Sequence, residues 1–214
     1  MFDIAFDRSV RQPNLGSFTS RKESPKMKKS FVLSLFLVML VPGLARALEC
    51  PEAVESTPAD LVQFLEMQAR TADPECVTRA IGRLGEFRSP LGTAVLVDLL
   101  DFRRPDSEVE RLHAFDMHDR FPAVPALFGV GNPAVPALLL KLENVKTSPT
   151  ARSNGIRAIA FIYRESPPEA VKIMKKAAST AKDQGDAVRL ESSAKDAVAF
   201  CSEKWRAQCE NEAK

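Results

Sequence analysis

Six times after residue 50 a residue able to cap a helix stands directly before proline: Thr57-Pro58, Asp73-Pro74, Ser89-Pro90, Asn132-Pro133, Ser148-Pro149 and Ser166-Pro167. The capping side chain accepts a hydrogen bond from an orphan N–H of the first helical turn. Proline fits the next position, because the N–H it lacks has no helical partner there. Ser107 adds a start with Glu110 three residues on, and Ser166 likewise has Glu169; both read as capping boxes. The starts at 57, 73, 89, 107, 132, 148 and 166 are mostly 16 to 18 residues apart. That spacing fits helices of about 10–14 residues joined by short turns.

Between the starts the apolar residues recur with helical period. Val77, Ala80, Ile81, Leu84 and Phe87 share one face, as do Ile156, Ile159, Ala160 and Tyr163. Val171, Met174 and Ala178 form a third set, and Leu190, Ala194, Ala197, Val198 and Cys201 a fourth. The run 94–100 is apolar on more than one face, as in a helix held between neighbours. No stretch shows sustained two-residue alternation with hairpin turns, so the expected fold is all-α.

The hexapeptide Pro-Ala-Val-Pro-Ala-Leu occurs twice, at 122–127 and 133–138. A proline inside a helix costs about 3 kcal/mol, but in a first turn its missing N–H is an orphan anyway. Each copy is therefore expected to open its own helix, the first ending at Gly129–Gly131. At longer range, Arg79-Ala80-Ile81 with Leu84 and Ser89-Pro90 parallels Arg157-Ala158-Ile159 with Ile162 and Ser166-Pro167. The offset is close to two periods of about 40 residues.

Three stretches carry a family resemblance: 78–85 (Thr-Arg-Ala-Ile-Gly-Arg-Leu-Gly), 121–140 with its doubled hexapeptide, and 155–160 (Gly-Ile-Arg-Ala-Ile-Ala). In these the chain resembles the HEAT-like repeat family, especially the variety related to phycobilisome-lyase repeats, over roughly residues 74–201. The resemblance implies an α-solenoid, or an irregular bundle, of stacked antiparallel helix pairs serving as a binding scaffold. Irregular repeat lengths and a cysteine at each end depart from the family pattern. The physical logic agrees: one helix pair cannot bury its apolar face alone, so neighbours stack and the ends need polar caps. The segment 48–73 reads as an N-terminal helical segment and the mostly polar 202–214, with Trp205, as a C-terminal cap.

The segment before residue 48 reads as an address. From Met27 the chain runs through Lys28-Lys29, an apolar stretch Phe31–Leu44 interrupted by Pro42-Gly43, and Ala45-Arg46-Ala47. This is the pattern of a secretory signal peptide over 27–47, cut between Ala47 and Leu48. The apolar stretch is shorter than the roughly 20 residues of a membrane-spanning helix, so a membrane association is expected only if the segment stays uncleaved. Residues 1–26 then read as an extension from an upstream start, with Met27 the expected true start. The whole chain carries a formal charge of +2, yet residues 48–214 carry −3. That balance argues against nucleic acid as a partner. All four cysteines, Cys50, Cys76, Cys201 and Cys209, follow the cleavage site. An even number in an exported chain suggests two disulfides in a periplasmic or extracellular compartment. Three pairings are possible; Cys50–Cys76 with Cys201–Cys209 is favoured because each is local. Eight residues of helix rise about 12 Å, too far for a bridge, so the chain must turn between Cys201 and Cys209.

Signals of chemistry are sparse. His113 and His118 are five apart, about 140° around a helix, where metal-binding helices use i, i+4. His113, Asp116 and His118 are the weak candidates for a metal site. No Gly-x-Ser-x-Gly, Cys-x-x-Cys or glycine-rich phosphate loop occurs, and Gly129-Val-Gly131 reads as helix punctuation. No catalytic residue and no cofactor is expected. Arg79 and Arg83 share a helix face, as do Arg152 and, less closely, Arg157. The family's inner helices line a concave surface, so the resemblance makes these arginines candidates for binding a protein partner. The leading expectation is an exported, non-catalytic protein-interaction scaffold. The alternative is a small extracytoplasmic enzyme or metal-binding protein centred on His113–Arg120.

Overall fold

The computed structural model describes Cys50 and residues 56–105 and 120–214. The address segment with Ala45, Ala47 and Leu48, the Ser107–Glu110 start, and His113, Asp116 and His118 lie outside the described residues. Among the described residues every regular element is helical. Numbered along them, the α-helices are α1 (Pro58–Gln68), α2 (Pro74–Glu86), α3 (Thr93–Asp98), α4 (Ala123–Val130), α5 (Val135–Glu143), α6 (Pro149–Ile162), α7 (Pro167–Thr180), α8 (Gln184–Ala197) and α9 (Glu203–Glu212). Short 3-10 turns at Pro90–Gly92, Asn132–Ala134 and Val198–Phe200 join some of them.

The cap–proline rule holds at the atomic level for three starts. Thr57, Asp73 and Ser148 accept backbone N–H bonds from Asp60, Cys76 and Ala151. Thr57 and Asp60 form a complete capping box, the carboxylate accepting from the Thr57 N–H at 2.9 Å. The Thr57 side-chain hydroxyl, then its backbone N–H, hold the Asp60 carboxyl below its usual range. The lowered native value means that this stabilisation is present above the unfolded carboxylate range and lost as pH falls through the native value. A carboxyl NMR titration is expected to place the Asp60 midpoint below that of a free aspartate.

Three other starts depart from the rule. Ser89 does accept from the Leu91 N–H at 3.3 Å, but it and Asn132 open 3-10 turns, and the α-helices begin later, at Thr93 and Val135. The box expected at Ser166 does not form: its side chain makes no cap bond. Pro167 and Pro168 remove the first two N–H groups, and the third, of Glu169, goes to the Ser166 carbonyl at 3.0 Å. The Glu169 carboxylate turns instead to Lys172.

Both hexapeptides open helices, as expected. Gly131 separates them with φ +76° and ψ −147°, a region open to glycine and closed to residues with a Cβ. The stretch turns through 112° there. Among the described residues no single helix is long and apolar enough to cross a membrane.

Packing follows a skip-one order. α2 packs on α4 and α4 on α6, while α1 meets α3 and its preceding 3-10 turn, and α3 meets α5. Cross-contacts α1–α2, α3–α4 and α5–α6 tie the two rows together. Beyond α6 the order changes: α7 and α8 pair closely, α8 covers α5 and α6, and α9 closes on α7. The buried set includes Leu61, Leu65, Ile81, Leu84, Leu96, Leu100, Leu127, Leu138, Leu142, Ile159, Met174 and Leu190.

The α2–α4 crossing is close because it lacks side chains. A Cβ on Gly85 would stand 2.6 Å from the Ala126 Cα, and one on Gly129 would stand 2.6 Å from the Gly85 carbonyl oxygen. Gly129 is therefore more than punctuation; it lets the two backbones touch. Gly82, one turn away on the exposed face, has nothing within 4 Å of an added Cβ. α2 ends at Arg88, whose φ of +51° places a bulky residue in the left-handed region where glycine is at ease. Gly82→Ala gains helix propensity of about 1 kcal/mol, and Arg88→Gly relieves a similar strain. Together they are expected to raise Tm by roughly 4–8 °C, read by thermal denaturation followed by circular dichroism. No rise would show that neither position is limited by its backbone.

Candidate functional site

Four cysteines, five arginines and two surface grooves carry what chemistry the described residues offer. Cys76 lies in the first turn of α2, and its N–H bonds the Asp73 carboxylate at 3.1 Å. It is bonded to Cys50 with the Cα atoms 5.4 Å apart. Cys201 sits in extended backbone before α9, and Cys209 on α9. They are bonded with Cα atoms 6.7 Å apart, so the required turn is the extended step at 201–202. Both pairings are the favoured ones. Two disulfides fit an oxidising compartment.

The arginines divide by occupation. Arg152 donates to the carbonyls of Leu142, at 2.5 Å, and Asn144, at 3.3 Å, the free end of α5. Arg189, which the sequence did not single out, donates to the Glu143 carbonyl at 2.5 Å and also holds Asp186. Two guanidinium groups thus satisfy three successive carbonyls at one helix C-terminus, where positive charge is favoured. Burial, and then the charge of Arg189, pull the Arg152 pKa below the ordinary arginine value, with Asp196 opposing. Arg157 donates to the buried Asn154 at 3.4 Å and lies over the Phe200 ring. Asn154, 2% exposed, in turn donates to the Leu100 carbonyl at 2.7 Å. Arg152 and Arg157 are therefore engaged within the fold.

Arg79 and Arg83 lie on α2. Arg83 stacks over Phe87 and pairs with Glu86 at 2.7 Å. Arg79 donates to the Cys50 sulfur at 3.1 Å. The structure does not bring these two together with Arg152 and Arg157 as one cluster of free cations. No sequence signal marked Arg189, because its role depends on α8 packing beside the end of α5.

Two grooves open on the surface. One of about 630 Å³ runs between α1 and α3; Met67, Val95, Leu99 and Phe102 line it, with Glu66 and Asp98 among its charged residues. Asp98 is paired with Lys141 at 2.8 Å. The other, of about 550 Å³, follows the α2–α4 crossing past Thr78, Gly82, Arg88, Arg104, Pro125 and Gly129. Arg104 approaches Glu75 to 3.6 Å. Among the described residues no three His, Cys, Asp or Glu side chains converge as a metal site.

These features define a helical protein braced by a disulfide near each end of its described residues. No family model, no curated protein and no solved structure matches the chain.

Proposed function

We propose that the chain is an exported, disulfide-braced protein of HEAT-like stacked helix pairs that acts as a non-catalytic protein-interaction scaffold. The observation that carries this reading joins sequence to packing. The repeat-related segments Arg79-Ala80-Ile81 and Arg157-Ala158-Ile159 fall on α2 and α6, and both helices pack on α4. Similar sequence in alternate members of one row is what stacked repeats produce. α7, α8 and α9 would then form the terminal cap, with the Cys201–Cys209 bridge holding its last helix. The partner-facing surface is assigned to the open side of α2, where Glu86 and Arg88 flank the groove floored by Gly82 and Gly129.

Export and scaffolding are tested separately. N-terminal sequencing of the exported product should return Leu48; a product beginning at Met27 overturns the cleavage. A photo-reactive residue at Gly82 should give one discrete cross-linked partner at fixed stoichiometry, and the same probe at the exposed Lys176 of α7 should not. Equal, scattered adducts from both sites would refute the assigned face.

A further inference from the structure

The two disulfides are chemically unequal. Cys201 and Cys209 are both buried, 3% and 0% exposed. In the other bridge only Cys76 is buried, at 3%; Cys50 is partly open to solvent. The open sulfur also carries the Arg79 guanidinium at 3.1 Å. A nucleophilic thiolate is negative, so a fixed positive charge at the sulfur under attack draws it in and steadies the charge in transit. The leaving sulfur sits in the first turn of α2, where the helix end favours a thiolate. Two acids flank it: Asp73 is engaged with the Cys76 N–H, and Glu75 faces Arg104.

We propose that Cys50 is a thiol–disulfide exchange site, opened by a dithiol reductant, while the Cys201–Cys209 bridge stays closed. One thiolate of the dithiol attacks the Cys50 sulfur. The Cys50–Cys76 bond breaks and its electron pair leaves on Cys76 as a thiolate. The second thiol of the reductant, deprotonated, then attacks its own sulfur in the mixed disulfide and releases Cys50. The reductant ends as a disulfide, the protein gains two electrons, and the two protons from the dithiol end on Cys50 and Cys76. The consequence is local: the covalent tie between the chain before α1 and the start of α2 is lost, while Leu61, Phe64 and Leu65 still seat α1 in the core.

The test uses the oxidised full chain under native conditions. It is treated with dithiothreitol for graded times, acid-quenched, alkylated and mapped by mass spectrometry. Cys50 and Cys76 should label at least tenfold faster than Cys201 and Cys209. Arg79→Gln should slow that opening roughly fivefold, the weight of a unit charge at about 4 Å in a water-like medium, and Arg79→Lys should restore most of it. With a monothiol such as glutathione, the trapped adduct should sit on Cys50 and not on Cys76. Melting temperature, followed in parallel, separates a lost charge from a lost fold. Equal opening of both bridges, adducts on Cys76, or an Arg79→Gln rate equal to the unsubstituted chain would each overturn the proposal.

Discussion

Gly129→Ala is expected to lose about 3 kcal/mol or more of folding free energy, a large effect for one methyl group. Its Cβ would lie 2.6 Å from the Gly85 carbonyl oxygen and 3.3 Å from the Gly85 carbonyl carbon. Both are backbone atoms, so no rotamer change relieves the clash. α2 and α4 would have to separate, and that separation opens the packing around Val77, Leu84, Val124 and Leu127, all fully buried. Gly85→Ala makes the complementary clash, against the Ala126 Cα and Cβ. Because both substitutions demand the same movement, the double variant should cost less than the two singles added. Urea denaturation of the singles and the double measures this. Gly82→Ala is the internal control on the same helix and carries the opposite sign. A Gly129→Ala loss under 1 kcal/mol would mean that the helices do not approach this closely.

Replacing both arginines at the end of α5 is the second large effect. Arg152→Ala alone should cost about 2 kcal/mol, since hydrogen bonds from charged donors contribute about 1.5–3. Arg189→Met, which keeps the stem's apolar contact, should cost slightly less. The double substitution leaves the carbonyls of Leu142 and Glu143 without these donors, while the Asn144 carbonyl keeps the Thr147 N–H at 3.1 Å, and should cost about 4 kcal/mol. The two guanidinium groups repel, which is part of why the Arg152 pKa is lowered. Each single loss is therefore partly offset by relief of its neighbour. Arg152→Lys should recover less than half, because an ammonium cannot fork between two carbonyls. Equilibrium unfolding and hydrogen exchange in the last turn of α5 read the result. Had Arg152 served only an external partner, its removal would leave both unchanged.

Much of the helical layout was legible because caps and prolines act through their immediate neighbours. Thr57, Asp73 and Ser148 do at the atomic level what their sequence context implies, and the faces of α2, α6, α7 and α8 are buried nearly residue for residue. Tyr163 and Val198 are only half-buried, and Phe87 stays 37% exposed beneath Arg83. What sequence missed depends on partners far along the chain or on signals without proline. α8 begins at Asp183, which caps Gly185 and Asp186 with no proline to flag it. α9 lies in a segment too polar for its period to show, although Cys209 is fully buried. Gly129 looked like an ending because a glycine that admits a neighbouring backbone has the same local appearance as one that stops a helix. The candidate site was legible as cysteine pairing and only in part as arginine. Nothing within ten residues of Arg189 reveals that it serves α5, and nothing around Arg79 reveals that it meets a sulfur from residue 50.

The two bridges close short loops, spanning 26 and 8 residues of sequence, and none of the chain from Cys76 to Cys201 is bypassed. If the protein is pulled from points outside them, tension crosses from Cys50 to Cys76 and from Cys201 to Cys209 through sulfur. The intervening residues carry no load. α1 and the first part of α9 are thus mechanically shielded, while the glycine-lined crossing of α2 and α4 bears the force. Opening the first bridge and then unseating α1 would release a reserve of about 9 nm of slack, at roughly 3.5 Å for each extended residue. A protein stretched between two attachments would then respond to reducing conditions by lengthening before its central rows begin to part.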